Sequence, residues 1–396
     1  NAANYHKGIG LVHARRALGD GLLTSEGELW RKQRTVIQPA FQHRRIARQA
    51  QIVAEEAAGL VTRLRAAADT GPVDVVSELT GLTLGVLGRT LLDTDLGAFT
   101  GIGESFAAVQ DQAMFELASL GAVPTWLPLP KQLRFRSARR SLQRVVDRLV
   151  AERTGATGAT GTAGATGATG TAGDDVLSRL IVSAGDEADP AVGALRLRDE
   201  LVTLLLAGHE TTASTLSWTM HLVDRHPAVW RRLHDEAVEV LGDRLPEHQD
   251  LHRLRYTTMV VEEAMRLYPP VWILPRKALA DDEVGGYRVP AGADLLICPY
   301  TLHRHPGLWD RPERFDPERF DPDRVTDRPR YGYLPFGAGP RFCVGNHLGM
   351  LEAVFVTALL ARELRLVTVP GYRVVAEPML SLRVRGGLPM TVHPAR

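Results

Sequence analysis

Apolar residues recur every three or four positions over much of the chain, the spacing of one buried helix face. Two long segments before residue 154 show this pattern without proline, at 47–68 and 137–153. The most apolar segment, 199–224, is hydrophobic nearly all round, so we expect a buried helix about 40 Å long. It should end before Pro227, because proline cannot continue a helix.

The second half adds more helices and then changes in texture. Short alternating segments with Gly and Pro turns predict strands late in the chain. The predicted elements are helices at 230–241, 256–267 and 344–364, a Pro-, Arg- and Asp-rich coil at 306–340, and strands within 284–300 and 372–392. The pattern therefore predicts a mainly α fold with a small β portion.

One segment, 154–173, contains only Gly, Ala and Thr in near-repeats. It has no charge, no aromatic ring and no period that could build a core, so it predicts a flexible surface loop. Helical patterns lie on both sides of it, which favours a single domain over 1–396. A boundary between two domains is the alternative.

Composition narrows the class of protein. The 396 residues are 44% hydrophobic and 23% charged, which excludes a disordered chain, a collagen and a coiled-coil rod. A net charge of +1 argues against a generally basic nucleic-acid binder, so no nucleic-acid partner is expected. Two cysteines cannot form a disulfide framework, and no run of 18 apolar residues is apparent; a cytoplasmic location is the default expectation.

The strongest chemical signal is the segment 336–345, which reads FGAGPRFCVG. It presents Cys343 among glycines at the start of a helix, with Arg341 two residues before it. Helix N-terminal amides favour a thiolate, and glycines let the backbone approach a flat group closely. A thiolate there is either a nucleophile or a metal ligand. A buried packing cysteine is the other reading, and it suits Cys298 in its apolar strand.

Three further motifs carry polar groups at helical spacing. Glu263 and Arg266 share one helix face. The sequence GHETT at 208–212 places an acid and two threonines inside an apolar helix, where such residues are rare unless they are paired or functional. Trp30 and Arg34 lie one turn apart in a basic helix.

These four motifs, in this order, resemble those of the bacterial-type cytochrome P450 family from about Trp30 onward. The resemblance implies a cytochrome P450-like fold whose N-terminal part precedes Asn1, and haem b as the cofactor, with Cys343 as the axial ligand of its iron. Arg341 would pair with a haem propionate. The other cofactor-binding residues implied are Trp30, Arg34, Gly208, Arg276, Phe336, Gly337, Gly339 and Gly345.

The resemblance also implies roles for the remaining motifs. Glu210 would belong to a proton relay and Thr211 would lie beside dioxygen. Glu263 and Arg266 would lock to an arginine of the later coil, for which Arg319 is favoured over Arg314.

The implied function is a haem-thiolate monooxygenase that inserts one oxygen atom into a lipophilic small molecule, a terpenoid or a fatty acid. Residues 9, 11, 12 and 271–274 would face that substrate. Separate donors, a ferredoxin with its reductase, would supply electrons through a basic face, and the protein would be a monomer. A haem-free thiol enzyme using Cys343 and a non-catalytic haem sensor are the alternatives. That docking face would comprise Arg31, Lys32, Arg44, Arg45 and the Cys343 loop.

Overall fold

The computed structural model describes residues 1–68, 70–96, 101–119, 122–124, 126–159, 175–324 and 328–395. Helices dominate this part of the chain. They are α1 (Ile9–Leu18), α2 (Gly27–Ile37), α3 (His43–Ala67), α4 (Val75–Leu87), α5 (Ile102–Ala118), α6 (Pro130–Ala159), α7 (Val176–Gly185), α8 (Pro190–Asp224), α9 (Pro227–Leu241), α10 (Arg255–Leu267), α11 (Pro299–Leu302) and α12 (Asn346–Glu363).

The strands are short and pair in antiparallel fashion. β1 (Tyr5–Lys7), β3 (Leu274–Ala278) and β6 (Asp294–Ile297) form one sheet, and β2 (Val73–Asp74), β10 (Pro389–Pro394) and β7 (Leu364–Thr368) form another. Two hairpins complete the β portion, one of β4 (Asp282–Val284) with β5 (Tyr287–Val289) and one of β8 (Ala376–Pro378) with β9 (Leu382–Val384).

Helix α8 runs through the core. Pro190 occupies its first turn, and the Asp189 carboxylate caps it by accepting the Ala191 N–H at 2.8 Å. It packs against α4, α7, α10 and α12, and α12 also packs against α3 and α9. The main cluster of buried apolar side chains lies among these helices, so any polar group on α8 is held in a rigid frame.

Several predicted boundaries shift. α8 begins at Pro190 rather than at 199, because the Asp189-Pro190 start signal outweighs the weaker apolar pattern of its first turns. The strand pattern within 284–300 was wrong at its end, where α11 begins at Pro299. The loop predicted at 154–173 starts too early, because the backbone of α6 stays helical to Ala159; residues 160–173 lie outside the described part.

Two expectations concern the ends and the membrane. Strand β1 and helix α1 precede Trp30 and pair or pack with β3, so the folded part of the chain includes residues before Trp30. Among the described residues, one helical stretch, Val75–Leu92, is long and apolar enough on average to cross a bilayer, although Glu78 and Arg89 interrupt it, so it is not an unbroken apolar run. Because 50% of that stretch is buried and α4 packs on α8, it is weak evidence for a membrane span.

Candidate active site

The Cys343 loop is shaped by its glycines. Gly337 and Gly339 have φ of 72° and 68°, a region that L side chains rarely adopt. A Cβ at either glycine would meet no atom within 4 Å, so open space lies beside the loop. The Cys343 N–H donates to Phe336 O at 3.0 Å, which closes the loop just ahead of α12.

The Cys343 side chain combines exposure to solvent with contact to the protein around its thiol. The residue is exposed to solvent, yet enough protein surrounds the thiol that burial raises its pKa. The Gly345 N–H and the charge of Arg34 act in the opposite direction and favour the thiolate. The Cys343 sulfur is therefore a soft ligand on an exposed residue that a bound group could reach. Cys298 differs, because its thiol donates to the Trp272 carbonyl at 3.3 Å.

Cationic side chains gather next to this loop. Arg341 lies 3.8 Å above the Trp30 ring and Arg34 lies 5.7 Å from the same ring. Arg34 also donates to Phe342 O at 2.9 Å, which ties α2 to the loop. The charge of Arg276, on β3, acts on Arg341. The structure thus brings together four of the residues predicted to bind the cofactor, namely Trp30, Arg34, Arg276 and Arg341.

Two members of this cluster were missed from the sequence. Glu26 pairs with Arg341 and accepts the Lys7 N–H at 2.7 Å. Lys7 donates to Leu22 O and Ser25 O at 2.9 and 2.7 Å. Burial, and then the charge of Arg341, lower the pKa of Lys7 to about 7. Glu26 had only a helix-start position as a signal, and Lys7 had none.

The turn of α8 at residues 207–211 is less buried than the turn before it. Ala207 is exposed and Gly208 and Thr211 are half-buried, although Leu204, Leu205 and Leu206 just before them are buried. The Thr211 hydroxyl donates to Ala207 O at 2.8 Å.

The neighbours of Thr211 face protein. A Cβ on Gly349 of α12 would lie 3.8 Å from Thr212 Oγ1, so the helix that follows Cys343 packs beside this turn of α8. A Cβ at Gly208 would overlap Leu87 of α4. A side chain there would require the Leu87 side chain to shift, and a contact of Gly208 with the cofactor stays a prediction.

Glu210 is held by groups from two other elements. The Ser381 hydroxyl donates to Glu210 Oε1 at 2.6 Å, and the Gln110 side chain on α5 bonds to the same carboxyl group. Burial raises the pKa of Glu210; these two bonds and the charge of Arg383 oppose that rise. Neither Ser381 nor Gln110 carries any sequence signal, since both lie far from α8 in the chain.

The Glu263–Arg266 pair is a buried lock. Both side chains are 0% exposed, and Arg266 Nε donates to Glu263 Oε2 at 2.6 Å. Arg266 also donates to the carbonyls of His303, Pro312 and Arg314 at 2.7, 2.7 and 3.1 Å.

The third residue of the lock is Arg319. Its Nε lies 3.4 Å from Glu263 Oε1, whereas Arg314 contributes only its carbonyl. The pair thereby fastens the coil that leads to the Cys343 loop, in the arrangement that the resemblance implied.

The donor set fits a haem. An accessible cysteine sulfur suits the axial position of the iron, Arg34, Arg276 and Arg341 suit two carboxylates, and the open side of Gly337 and Gly339 suits a flat ring. A match to the family model "Cytochrome P450" covers residues 4–384. The chain belongs to the cytochrome P450 family.

Curated relatives agree with this family. The chain is 38% identical to cyclooctatin synthase of Streptomyces melanosporofaciens, over 96% of this chain and 80% of that protein. It is 35% identical to cyclooctat-9-en-7-ol 5-monooxygenase of the same organism, over 100% and 83%. It is 32% identical to pentalenene oxygenase of Streptomyces avermitilis, over 98% and 81%.

The family membership confirms the mainly α P450 fold, the haem cofactor with a cysteine thiolate ligand, and a monooxygenase that uses a redox partner. It decides against both the haem-free thiol enzyme and the non-catalytic sensor. The match also begins at residue 4, well before Trp30. The roles of the individual site residues remain predictions.

Proposed function

We propose that this P450 oxidises a terpenoid, with Glu210 and Thr211 on the open turn of α8 serving proton transfer and a ferredoxin supplying electrons. The observation that carries this proposal is the exposure of Ala207 and the half-burial of Thr211 in an otherwise buried part of α8, together with the exposed Cys343 just before α12. Helix α12, which follows Cys343, packs beside this turn of α8, so we infer that a substrate lying between them would meet both the turn and the cysteine.

The chain's own residues divide the work around this region. When bound, haem would supply the iron for dioxygen activation, and the Cys343 thiolate would hold that iron and tune its electron density. Arg34, Arg276 and Arg341 orient its carboxylates. Thr211 offers a hydroxyl on the open face.

Glu210, the residue before Thr211, is the acidic side chain in this turn of α8. Because burial raises its pKa, it keeps a proton to higher pH than an exposed carboxyl group and can pass that proton forward. This division follows the resemblance and is consistent with the orientation of the side chains on α8.

The substrate class rests on two supports. Pentalenene and cyclooctat-9-en-7-ol, which appear in the names of two relatives, are terpenoids. The residues expected to face the substrate include α1 positions Ile9 and Leu11 and the segment 271–274, and these are half-buried and mostly apolar. Val12 is 52% exposed, so we place it at the edge of the substrate site and not inside it.

The substrate class is tested by titrating the haem-loaded protein with cyclic terpene hydrocarbons and with fatty acids of similar size. We expect the terpenes to displace the haem absorption band at lower concentration, and mass spectrometry to find one added oxygen in their product. Tighter binding and turnover of the fatty acids would assign the other class.

The ferredoxin proposal rests on charge. Arg31 and Lys32 are exposed on α2 near the Cys343 loop, although Lys32 Nζ lies 2.6 Å from Glu187 Oε1, which reduces its free charge. The Arg44 side chain lies outside the described part of the chain. We expect reduction by an acidic ferredoxin to slow as salt rises, and Arg31→Ala to weaken that dependence. A rate indifferent to salt and to the identity of the donor would contradict the docking face.

A further inference from the structure

The turn between β8 and β9, residues 379–381, is followed by Leu382 of β9, which is hydrogen-bonded to α8. Ser214 Oγ and Trp218 Nε1 both donate to Leu382 O, at 2.6 and 2.9 Å. The Leu382 N–H donates to Pro270 O at 2.9 Å. These bonds fix the backbone of the turn independently of any bond made by the Ser381 side chain.

The same turn places the Ser381 hydroxyl against the Glu210 carboxyl group. Ser381 is only 3% exposed, and its Oγ lies 2.6 Å from Glu210 Oε1. From the other side, Gln110 of α5 is also 3% exposed and bonds to Glu210. Helix α8, helix α5 and the β8–β9 turn therefore meet at this one carboxyl group.

The charged groups around Glu210 come from these same elements. Arg383 on β9 is the cation whose charge acts on it. Arg383 is itself engaged, with Glu377 of β8 at 2.8 Å and with Asp111 of α5 at 4.0 Å. The influence of Arg383 on Glu210 is therefore partly neutralised, and the two neutral donors are the direct contacts.

We propose that Ser381 is a positioning residue for proton transfer, which orients the Glu210 carboxyl group and, with Gln110, sets the pH at which that group releases its proton. This inference rests on the proposed role of Glu210. It adds a residue of the β8–β9 turn, distant from α8 in sequence, to the machinery of the reaction.

The direction of the effect follows from hydrogen bonding. A hydroxyl that donates to a carboxylate stabilises the charged form, so its loss favours the protonated form. Ser381→Ala should therefore raise the pKa of Glu210 further, by about half a unit to one unit, the range expected for one hydrogen bond. Gln110→Leu should shift it in the same direction.

The test measures two properties of the haem-loaded protein. One is the pH profile of product formed per electron. The other is the infrared carbonyl absorption of protonated Glu210, identified as the band missing from Glu210→Gln. In Ser381→Ala we expect both the profile and the pH at which the band disappears to move upward, with a change in band position. Ser381→Thr should restore wild-type behaviour because it keeps the hydroxyl.

Ser214→Ala is the matched control. It removes a bond that holds the same turn, at Leu382 O, and leaves the Ser381 hydroxyl in place. We expect the wild-type profile and band. Equal shifts in Ser214→Ala and Ser381→Ala would mean that displacement of the turn, and not the hydroxyl, causes the effect, and would overturn the inference.

The remaining outcomes separate this inference from the proposal beneath it. If Glu210→Gln changes the pH profile but neither Ser381→Ala nor Gln110→Leu does, Ser381 has no positioning role while Glu210 keeps its own. If Glu210→Gln leaves the pH profile unchanged, both the proposed role of Glu210 in proton transfer and the positioning role of Ser381 are wrong. Gln110→Leu supplies the measurement if Ser381→Ala does not fold.

Discussion

Thr211 and Thr212 are adjacent in the chain but have different surroundings. Residues that follow one another on a helix point about 100° apart. Thr211 lies beside the exposed Ala207, whereas Thr212 is buried against α12 at Gly349. Only the first threonine presents its hydroxyl to the open region of the site.

This difference predicts unequal effects of two alanine variants. Thr211→Ala should leave haem and substrate binding nearly intact, raise hydrogen peroxide per electron several-fold and lower product per electron, because a hydroxyl that holds a proton at the site is lost. Thr212→Ala should change this ratio much less. Parallel measurement of electrons consumed, product and peroxide checks it. A larger loss of coupling in Thr212→Ala would show that the other hydroxyl serves the site.

The two cysteines also differ in a way that can be measured. Cys343 is exposed, whereas the Cys298 thiol donates a hydrogen bond to the backbone carbonyl of Trp272. Cys343→Ala should abolish the red-shifted absorption of the reduced, CO-treated protein and its oxygenase activity, because the soft ligand of the iron is removed. Cys298→Ala is the matched variant and should keep both. Loss of the band in Cys298→Ala alone would reverse the ligand assignment.

At the scale of elements, α10 and the coil before the Cys343 loop are joined by buried charges. Glu263 accepts bonds from Arg266 and, at 2.8 Å, from the Asp316 N–H, and lies within 3.4 Å of Arg319. Removing one partner of a buried charge pair is expensive, since the other charge keeps its desolvation cost.

The two coil arginines make this testable. Glu263→Gln should lower the free energy of unfolding by about 3–5 kcal/mol, because Arg266 is left uncompensated. Arg319→Ala should lower it by about 1–3 kcal/mol. The exposed Arg314 is the control, and Arg314→Ala should cost at most about 0.5 kcal/mol. Urea unfolding of the haem-loaded protein measures all three. A larger cost for Arg314→Ala than for Arg319→Ala would mean that the lock is misassigned.

At the scale of the whole molecule, buried titratable groups make stability depend on pH in opposing ways. Burial lowers the pKa of His303 to about 3 and raises that of Glu200 to about 8. Below pH 6.5 the unfolded chain binds a proton at His303 that the folded chain does not. The free energy of unfolding therefore decreases as the pH is lowered. Between pH 4.5 and 8 the folded chain keeps a proton on Glu200 that the unfolded chain loses, so stability falls as pH rises.

The His303 contribution can be isolated with a variant. Its ring accepts the Leu334 N–H at 2.8 Å, a bond that the Gln oxygen can replace. Between pH 7.5 and 5.5, wild type should lose about 1 kcal/mol of stability relative to His303→Gln. The exposed His305 is the control, and its Gln variant should follow the wild-type curve. Parallel curves for wild type and His303→Gln would show that this ring is protonated in the folded state.

Local patterns determined most of the helices and the main motifs. The apolar period located the core of α8, Pro227 predicted that this helix ends before it, and the helix predicted at 256–267 matches α10. The loop around Cys343 was recognisable because its glycines, cation and thiol lie within ten consecutive positions. Such features are encoded by neighbouring residues, so a single sequence suffices to find them.

What only the tertiary structure decided is which distant residues meet. Ser381 reaches Glu210 across 171 positions, Glu26 reaches Arg341 across 315, and Leu87 of another helix lies against Gly208. The choice of Arg319 over Arg314 likewise depends on how the coil folds back on α10. These contacts follow from the packing of whole helices and strands, whose geometry is set by the sum of many weak interactions and leaves no signature at any one position.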